Sequence, residues 1–189
     1  VLYGPGYIVD ELCGCRFRIS AKSFYQINPV QTEVLYNKAM EFAGLSGREK
    51  VLDAYCGIGT IGLVAAKHGA GQVLGVELNP DAVKDAIQNA RENGMKNAWF
   101  TCGDAGAFLE EAALERERWD VVFMDPPRAG ASRAACAPRR VVYISCDPET
   151  LSRDLGVLQA NHYKIEQIQP VDMFPHTQHI ECVVRLTRK

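Results

Sequence analysis

The residues best placed to do chemistry lie in Val141-Val-Tyr-Ile-Ser-Cys146-Asp-Pro-Glu-Thr150, where a β-branched apolar run ends in a cysteine and an acidic, proline-containing helix start follows at once. Open α/β folds bind ligands at the carboxyl ends of their strands, so this spacing sets one thiol at the lip of a sheet. A helix N-terminus stabilises a thiolate, and a thiolate is a nucleophile. The plainer role for the same residue is packing, because a free cysteine behaves as a small hydrophobe. Which role applies depends on what the neighbouring elements bring to the same edge.

Two other stretches carry ligand chemistry. Val51-Leu-Asp-Ala-Tyr-Cys-Gly57-Ile-Gly-Thr60 reads as a strand, a glycine-rich turn and a helix start, and glycines let a backbone approach a ligand closely. Alone, such a turn is as easily structural. Val73-Leu-Gly-Val-Glu77 adds an acidic residue at the end of the next strand, about twenty residues on, where nucleotide-binding α/β folds grip a ribose diol. No third phosphate-type glycine follows, which favours a nucleoside over a dinucleotide. Asp104, after the third strand, either accepts from an adenine amino group or caps a helix. Together these elements read as an S-adenosylmethionine site. Phe123-Met-Asp125-Pro-Pro-Arg128-Ala-Gly ends a further strand in a rigid turn. Many amine methyltransferases have an aromatic residue after such a Pro-Pro pair; Arg128 in that place argues against amine transfer.

These residues need a scaffold, and the pattern supplies one. From Lys50 onward strands and helices alternate: strands at 51–53, 73–77, 98–101, 120–124 and 141–145, helices at 60–68, 80–93, 104–114 and 148–160, and two last strands near 163–170 and 180–186. Alternation of this kind predicts a Rossmann-like α/β fold of the class I S-adenosylmethionine-dependent methyltransferases, a mostly parallel sheet with helices on both faces. Residues 1–28 read as a small N-terminal strand or hairpin segment leading into a catalytic domain over 29–189, with Asn28-Pro29 as a helix start. The connection from Met124 to Val141 holds too few helix-compatible residues for a parallel crossover, so a break is expected between Gly130 and Pro138.

Composition narrows the class. The chain has 189 residues and a formal net charge of −2, so bulk charge does not advertise nucleic-acid binding and any RNA contact must be local. No apolar run is long enough to span a bilayer, and no signal peptide is visible. The seven cysteines are an odd number without disulfide-framework spacing and read as reduced thiols of a cytoplasmic protein. Cys13-Gly-Cys15 lacks a second ligand pair for zinc, and His176 with His179 lacks a third ligand, so no metal is expected. The chain opens at Val1 in mid-pattern and reads as the C-terminal part of a longer protein whose upstream RNA-binding part is absent.

Ser23-Phe-Tyr-Gln26-Ile-Asn-Pro, Asp53-Ala-Tyr-Cys-Gly-Ile-Gly, Asp125-Pro-Pro-Arg-Ala-Gly, Ile144-Ser-Cys146-Asp-Pro-Glu-Thr-Leu-Ser-Arg-Asp154 and Asp172-Met-Phe-Pro-His-Thr-Gln-His-Ile-Glu181 occur in this order over nearly the whole chain. In these motifs the chain resembles the bacterial RNA (uracil-5-)-methyltransferases, which make 5-methyluridine in 23S ribosomal RNA or transfer RNA, and it is most similar to the 23S branch. The resemblance implies Cys146 as nucleophile and Glu181 as base, with Gln26, Tyr55, Glu77 and Asp125 lining the cofactor and target-base site. It implies an RNA partner, most often with an upstream RNA-binding barrel and in some members an iron–sulfur cluster. Cys13 and Cys15 do not match that cluster.

The residue types fit the chemistry. Carbon 5 of uracil becomes nucleophilic once a thiolate adds at carbon 6, and a base must later take the carbon-5 proton. Arg128 would hold the enolate or a phosphate, or be an ordinary surface arginine. Tyr25, Tyr55 and Phe174 are stacking partners for a flipped base, or core. Lys22, Arg128, Arg139, Arg140 and Arg153 would form a basic rim. The family usually has Asn where this chain has Asp147, which would either raise the thiol's pKa or cap the helix. Three other readings remain: an amine methyltransferase on the same fold, a binding module without catalysis, and a redox sensor in which Cys182 resolves Cys146.

Overall fold

The computed structural model describes residues 4–131 and 138–189. The break expected between Gly130 and Pro138 falls, but for Ala131, outside them.

The chain opens with an antiparallel hairpin, β1 (Tyr7–Leu12) and β2 (Cys15–Ser20). Cys13 and Gly14 both turn at positive φ, 50° and 67°, as a tight two-residue hairpin demands. Asn28 caps α1 (Pro29–Ala43), and Gly44 ends it in the left-handed conformation. There follow β3 (Lys50–Ala54), α2 (Thr60–Lys67), β4 (Gln72–Glu77), α3 (Pro80–Glu92), β5 (Ala98–Cys102), α4 (Ala105–Leu114), β6 (Val121–Met124), β7 (Arg140–Ser145), α5 (Pro148–Ala160), β8 (Tyr163–Val171) and β9 (Glu181–Arg188).

The seven later strands form one sheet in the order β5-β4-β3-β6-β7-β9-β8. β9 runs antiparallel to both β7 and β8, while β3 to β7 run parallel. Residues 172–180 contain no helix; a crossover needs more chain than that, so β9 returns beside β8 as a hairpin partner. The central strands are buried on both faces, which is why they read as continuous apolar runs rather than alternating ones. One core lies between the sheet and α1, α2, α3 and the hairpin. The other lies under α4 and α5, through Leu109, Leu151, Leu155 and Leu158. The expected α/β sheet with helices on both faces is what forms.

The hairpin is joined to α3 by a polar ladder. Asn93 Oδ1 accepts from Arg16 N at 2.8 Å, Asn89 Oδ1 from Arg18 N at 2.7 Å, and Asp85 Oδ2 from Ser20 N at 3.3 Å. The two asparagines return the bond, donating to Arg16 O and Arg18 O. Side chains four apart on one helix face thus serve backbone groups two apart on one strand edge.

Candidate active site

Strand register alone lines up most of the expected site. Ala54 pairs with Val76 on one side and Met124 on the other, so Tyr55 falls one step later between Glu77 and Asp125. In the antiparallel pair, Ser145 faces Cys182; one step on, just past the end of β7, comes Cys146, and one step back along β9 comes Glu181, which pairs with Val171 and is electrostatically coupled to Cys146. These residues share the carboxyl edge of the parallel strands, beside the point between β3 and β6 where the strand order reverses, the usual ligand crevice of an open α/β sheet.

On the β3–β4 half of this edge the turn and the Glu77 carboxylate are held by backbone hydrogen bonds. The chain turns from β3 into α2 with Tyr55, Gly57 and Gly59 at φ 68°, 54° and 83°. A tyrosine at positive φ is strained, and it is held there by its flanks. Glu77 Oε2 accepts from Gly57 N at 3.0 Å and Oε1 from Asn79 N at 2.8 Å. No atom lies within 4 Å of where a Gly57 Cβ would be, so the turn faces open space. Asp104, expected to meet an adenine or to cap, caps α4: its Oδ1 accepts from Ala107 N at 2.8 Å. Gln26 sits half-buried on residues 21–28, a strap anchored at one end by Ser23 Oγ on Asp85 and Asn79 on Lys22 O, and at the other by Asn28 on Met173 O. The strap therefore crosses from the end of β4 to the β8–β9 connection.

Asp53 was not singled out from sequence. It is fully buried, its Oδ2 accepts from Gly62 N at 2.7 Å, and its Oδ1 has no partner. Desolvation pushes its carboxyl up to about 7, opposed by the Gly62 hydrogen bond and aided by Glu77. The available signal was an acid inside an otherwise apolar strand.

The other half gathers charges that oppose one another. Glu181 is 5% exposed; desolvation lifts its carboxyl to about 7, and the Arg128 guanidinium pulls the other way. Asp125 is lifted to about 8 by desolvation, then by Glu181 and Asp53. Cys146 is partly buried, and its thiol is raised rather than lowered: desolvation leads, Glu181 and Asp125 add to it, and Arg128 opposes. The stabilised thiolate expected from the helix start is therefore corrected, because burial first, and then the facing Glu181 and Asp125, disfavour the charged thiol. Asp147 takes its capping role, accepting from Thr150 N at 2.8 Å. Ser145 Oγ accepts from Asp147 N at 3.2 Å and fixes the turn that presents Cys146.

Other expected residues scatter. Arg139 and Arg140 stand at the start of β7, the opposite edge of the sheet, where Arg140 donates to Ala43 O at the end of α1. Lys22 pairs with Asp81 and Arg153 with Asp154, so of the expected rim Arg128 alone is electrostatically coupled to Cys146. Tyr25 packs inward on Phe17 with ring centroids 6.4 Å apart, and Phe174 is partly buried against the same core. Cys182 packs on the α4–α5 side; strand alternation points it away from the face that Glu181 presents, which removes it as a resolving thiol. His176 and His179 are exposed. Among the described residues no three His, Cys, Asp or Glu side chains gather as metal ligands, and no helix is long and apolar enough to cross a membrane.

The whole scaffold matches known methyltransferases. A SAM-dependent methyltransferase from Agrobacterium tumefaciens superposes with a TM-score of 0.74 over 99% of this chain and 72% of its own, at 16% identity. The fold is that of the Rossmann-like S-adenosylmethionine-dependent methyltransferases. Residues 10–189 match the tRNA (uracil-5-)-methyltransferase family, and the chain belongs to it. An uncharacterized RNA methyltransferase of Bacillus cereus is 50% identical over 194 residues, covering 100% of this chain and 42% of the relative. The Pyrococcus abyssi tRNA (uracil-54, C5)-methyltransferase, solved with S-adenosyl-L-homocysteine, superposes with a TM-score of 0.82 at 34% identity, over 98% of this chain and 45% of that one. The chain thus spans less than half the length of the last two proteins.

Proposed function

We propose that this chain is the catalytic part of an enzyme that methylates carbon 5 of a uridine in RNA, with S-adenosylmethionine as methyl donor, through a covalent adduct between Cys146 and the uracil. The observation that carries this reading is the electrostatic coupling of Cys146 to Glu181, Asp125 and Arg128, one step beyond the Ser145–Cys182 pair that ends the β7–β9 register. An amine methyltransferase would leave that pair idle.

The residues present fit the donor. The open space before Gly57, the oriented Glu77 carboxylate and the orphaned Asp53 oxygen make a polar cradle. There Gly57 and Tyr55 would border the amino-acid portion, Glu77 the ribose diol, Asp104 the adenine, and Gln26 and Asp125 the reacting end. When bound, S-adenosylmethionine supplies an electrophilic methyl group on a sulfonium. The chain's residues do the rest. Cys146 Sγ, as thiolate, bonds to carbon 6 of a uracil swung out of its stack. The ring's electrons move toward O4, and Arg128 offsets that charge. After methylation, Glu181 takes the proton from carbon 5; the pair left behind re-forms the 5,6 double bond and expels the thiolate. A carboxylate lifted to about 7 suits this task near neutral pH.

The substrate we favour is 23S ribosomal RNA, on the motif resemblance; transfer RNA is the other outcome of the test. Either substrate places the protein in the cytoplasm. The test is a trap: incubate the full-length parent protein with S-adenosylmethionine and 5-fluorouridine-substituted 23S fragments or tRNA, and map any denaturation-stable adduct by mass spectrometry. Fluorine cannot leave as a cation, so an adduct on Cys146 is expected. Cofactor and RNA binding without an adduct would sink the covalent mechanism.

A further inference from the structure

The loop that carries Asp125 and Arg128 is tied, residue after residue, to the helix that begins just beyond Cys146. Thr150 Oγ1 donates to Arg128 O at 3.1 Å, Arg153 to Ala129 O at 2.6 Å, and Asp154 Oδ2 accepts from Ala131 N at 2.9 Å. Positions 150, 153 and 154 share one face of α5. Gly130 lies flat against that face at φ 88°, where a Cβ would overlap Arg153, Asp154 and Thr150 together; only glycine fits both the angle and the approach.

Asp154 is the centre of this arrangement. It is 7% exposed. Besides Ala131 N it accepts from Tyr143 Oη at 2.6 Å and Arg153 Nε at 2.9 Å. One carboxylate thereby joins the strand that delivers the thiol, the helix that follows it and the loop that holds Arg128. The proposed chemistry gives this buried acid no other task. Arg128 itself is exposed, so the backbone tethers are what set its place.

We infer that Asp154, with Thr150 and Arg153, is a positioning residue that clamps the Asp125–Ala131 loop to α5 and so fixes Arg128 beside Cys146 and Glu181. The inference deepens the reading above and rests on it for its catalytic meaning: a cation must already be in place when negative charge develops on the ring.

The groups facing Cys146 are Glu181 from β9 and Asp125 and Arg128 from the loop after β6, with Asp147 on its own element. Of the two loop residues Arg128 has the larger effect on the thiol. Loosening the clamp should therefore raise the pH at which Cys146 reacts. The experiment follows iodoacetamide alkylation of Cys146 against pH, by peptide mass spectrometry on the full-length parent protein. Asp154→Asn should move the midpoint up by about half a unit or more, a screened version of an opposite-charge effect. Added to Arg128→Gln, it should move the midpoint no further upward. Arg153→Ala, an exposed change that leaves the buried acid in place, should give a smaller shift of the same sign and stands in if Asp154→Asn unfolds. A midpoint equal to wild type in both variants, or an undiminished upward shift in the Arg128→Gln background, would overturn the clamp. No RNA or methyl donor enters this measurement, so it is decided separately from the uracil adduct.

Discussion

The two halves of the sheet's carboxyl edge solve opposite problems. Beside β4, Glu77 is bonded by two backbone N–H groups and the glycine turn is held open: Glu77 is satisfied before a ligand arrives, and the unmet demand on this side is the single buried Asp53 Oδ1 on β3. Beside β7 and β9, two carboxyls and a thiol are all pushed above their ordinary values, with one arginine opposing. Binding is served by completed hydrogen bonds, which make a rigid shape. In the proposed reaction it is the two carboxyls, poised near neutrality, that would exchange protons readily.

The difference can be broken first at the thiol. Cys146→Ser should abolish the 5-fluorouridine adduct and cut turnover by roughly a thousandfold or more, with methyl-donor affinity, read by calorimetry, retained. Next, Glu181→Gln should slow turnover by about 10²–10⁴-fold while letting a methylated adduct accumulate on unfluorinated RNA, since the carbon-5 proton stays; loss of turnover without that adduct would remove Glu181 as the base. On the quiet side, Glu77→Ala should weaken methyl-donor binding by about 10–100-fold, the worth of hydrogen bonds to a charged group, and leave the Cys146 alkylation profile in place.

A pH scan sharpens the contrast more gently. Asp53 and Glu181 at about 7 and Asp125 at about 8 lie far above ordinary carboxyls. Groups raised on folding contribute stability that is complete below the unfolded value, near pH 4, and lost as pH rises through the folded value. The melting temperature of the ligand-free protein should fall between about pH 6 and pH 8.5, and less steeply in Glu181→Gln. The smallest effect concerns Asp104: Asp104→Ala should cost about 1 kcal/mol as a lost cap, whereas Asp104→Asn keeps the cap and reads any adenine contact through methyl-donor affinity alone.

The alternation from Lys50 to Ala160 was legible because strand and helix periods differ and because residues such as Asp104 and Asp147 punctuate the helices. Cys146 and Glu77 could be placed because strand ends are visible in sequence. The pairing of Cys146 with Glu181 could not, since it depends on β9 running backwards between β7 and β8; only the resemblance brought Glu181 forward. The direction of the thiol's shift was missed for the same reason: a helix start is local, whereas the burial that raises the thiol, and the carboxyls that add to it, come from strands and loops far along the chain. Arg139 and Arg140 misled because a run of basic residues says nothing about which edge of a sheet it occupies. Of the clamp residues, Thr150 and Asp154 sat inside a quoted motif without a role and Arg153 was read as part of a basic rim, until the loop was seen to lie on them.

The Asp85–Asn89–Asn93 ladder behaves as a vernier. Four residues of helix advance about 6.0 Å and two of strand about 6.8 Å, so each rung drifts by a little under an ångström and a fourth would miss its mark. Three rungs are thus near the natural limit of such a contact, and the longest of the three backbone-to-carbonyl or carboxylate bonds is the terminal one, at Ser20. An edge consumed in this way offers no free ladder to a foreign strand, so the hairpin is sealed on that side by the side chains of α3 rather than by another strand.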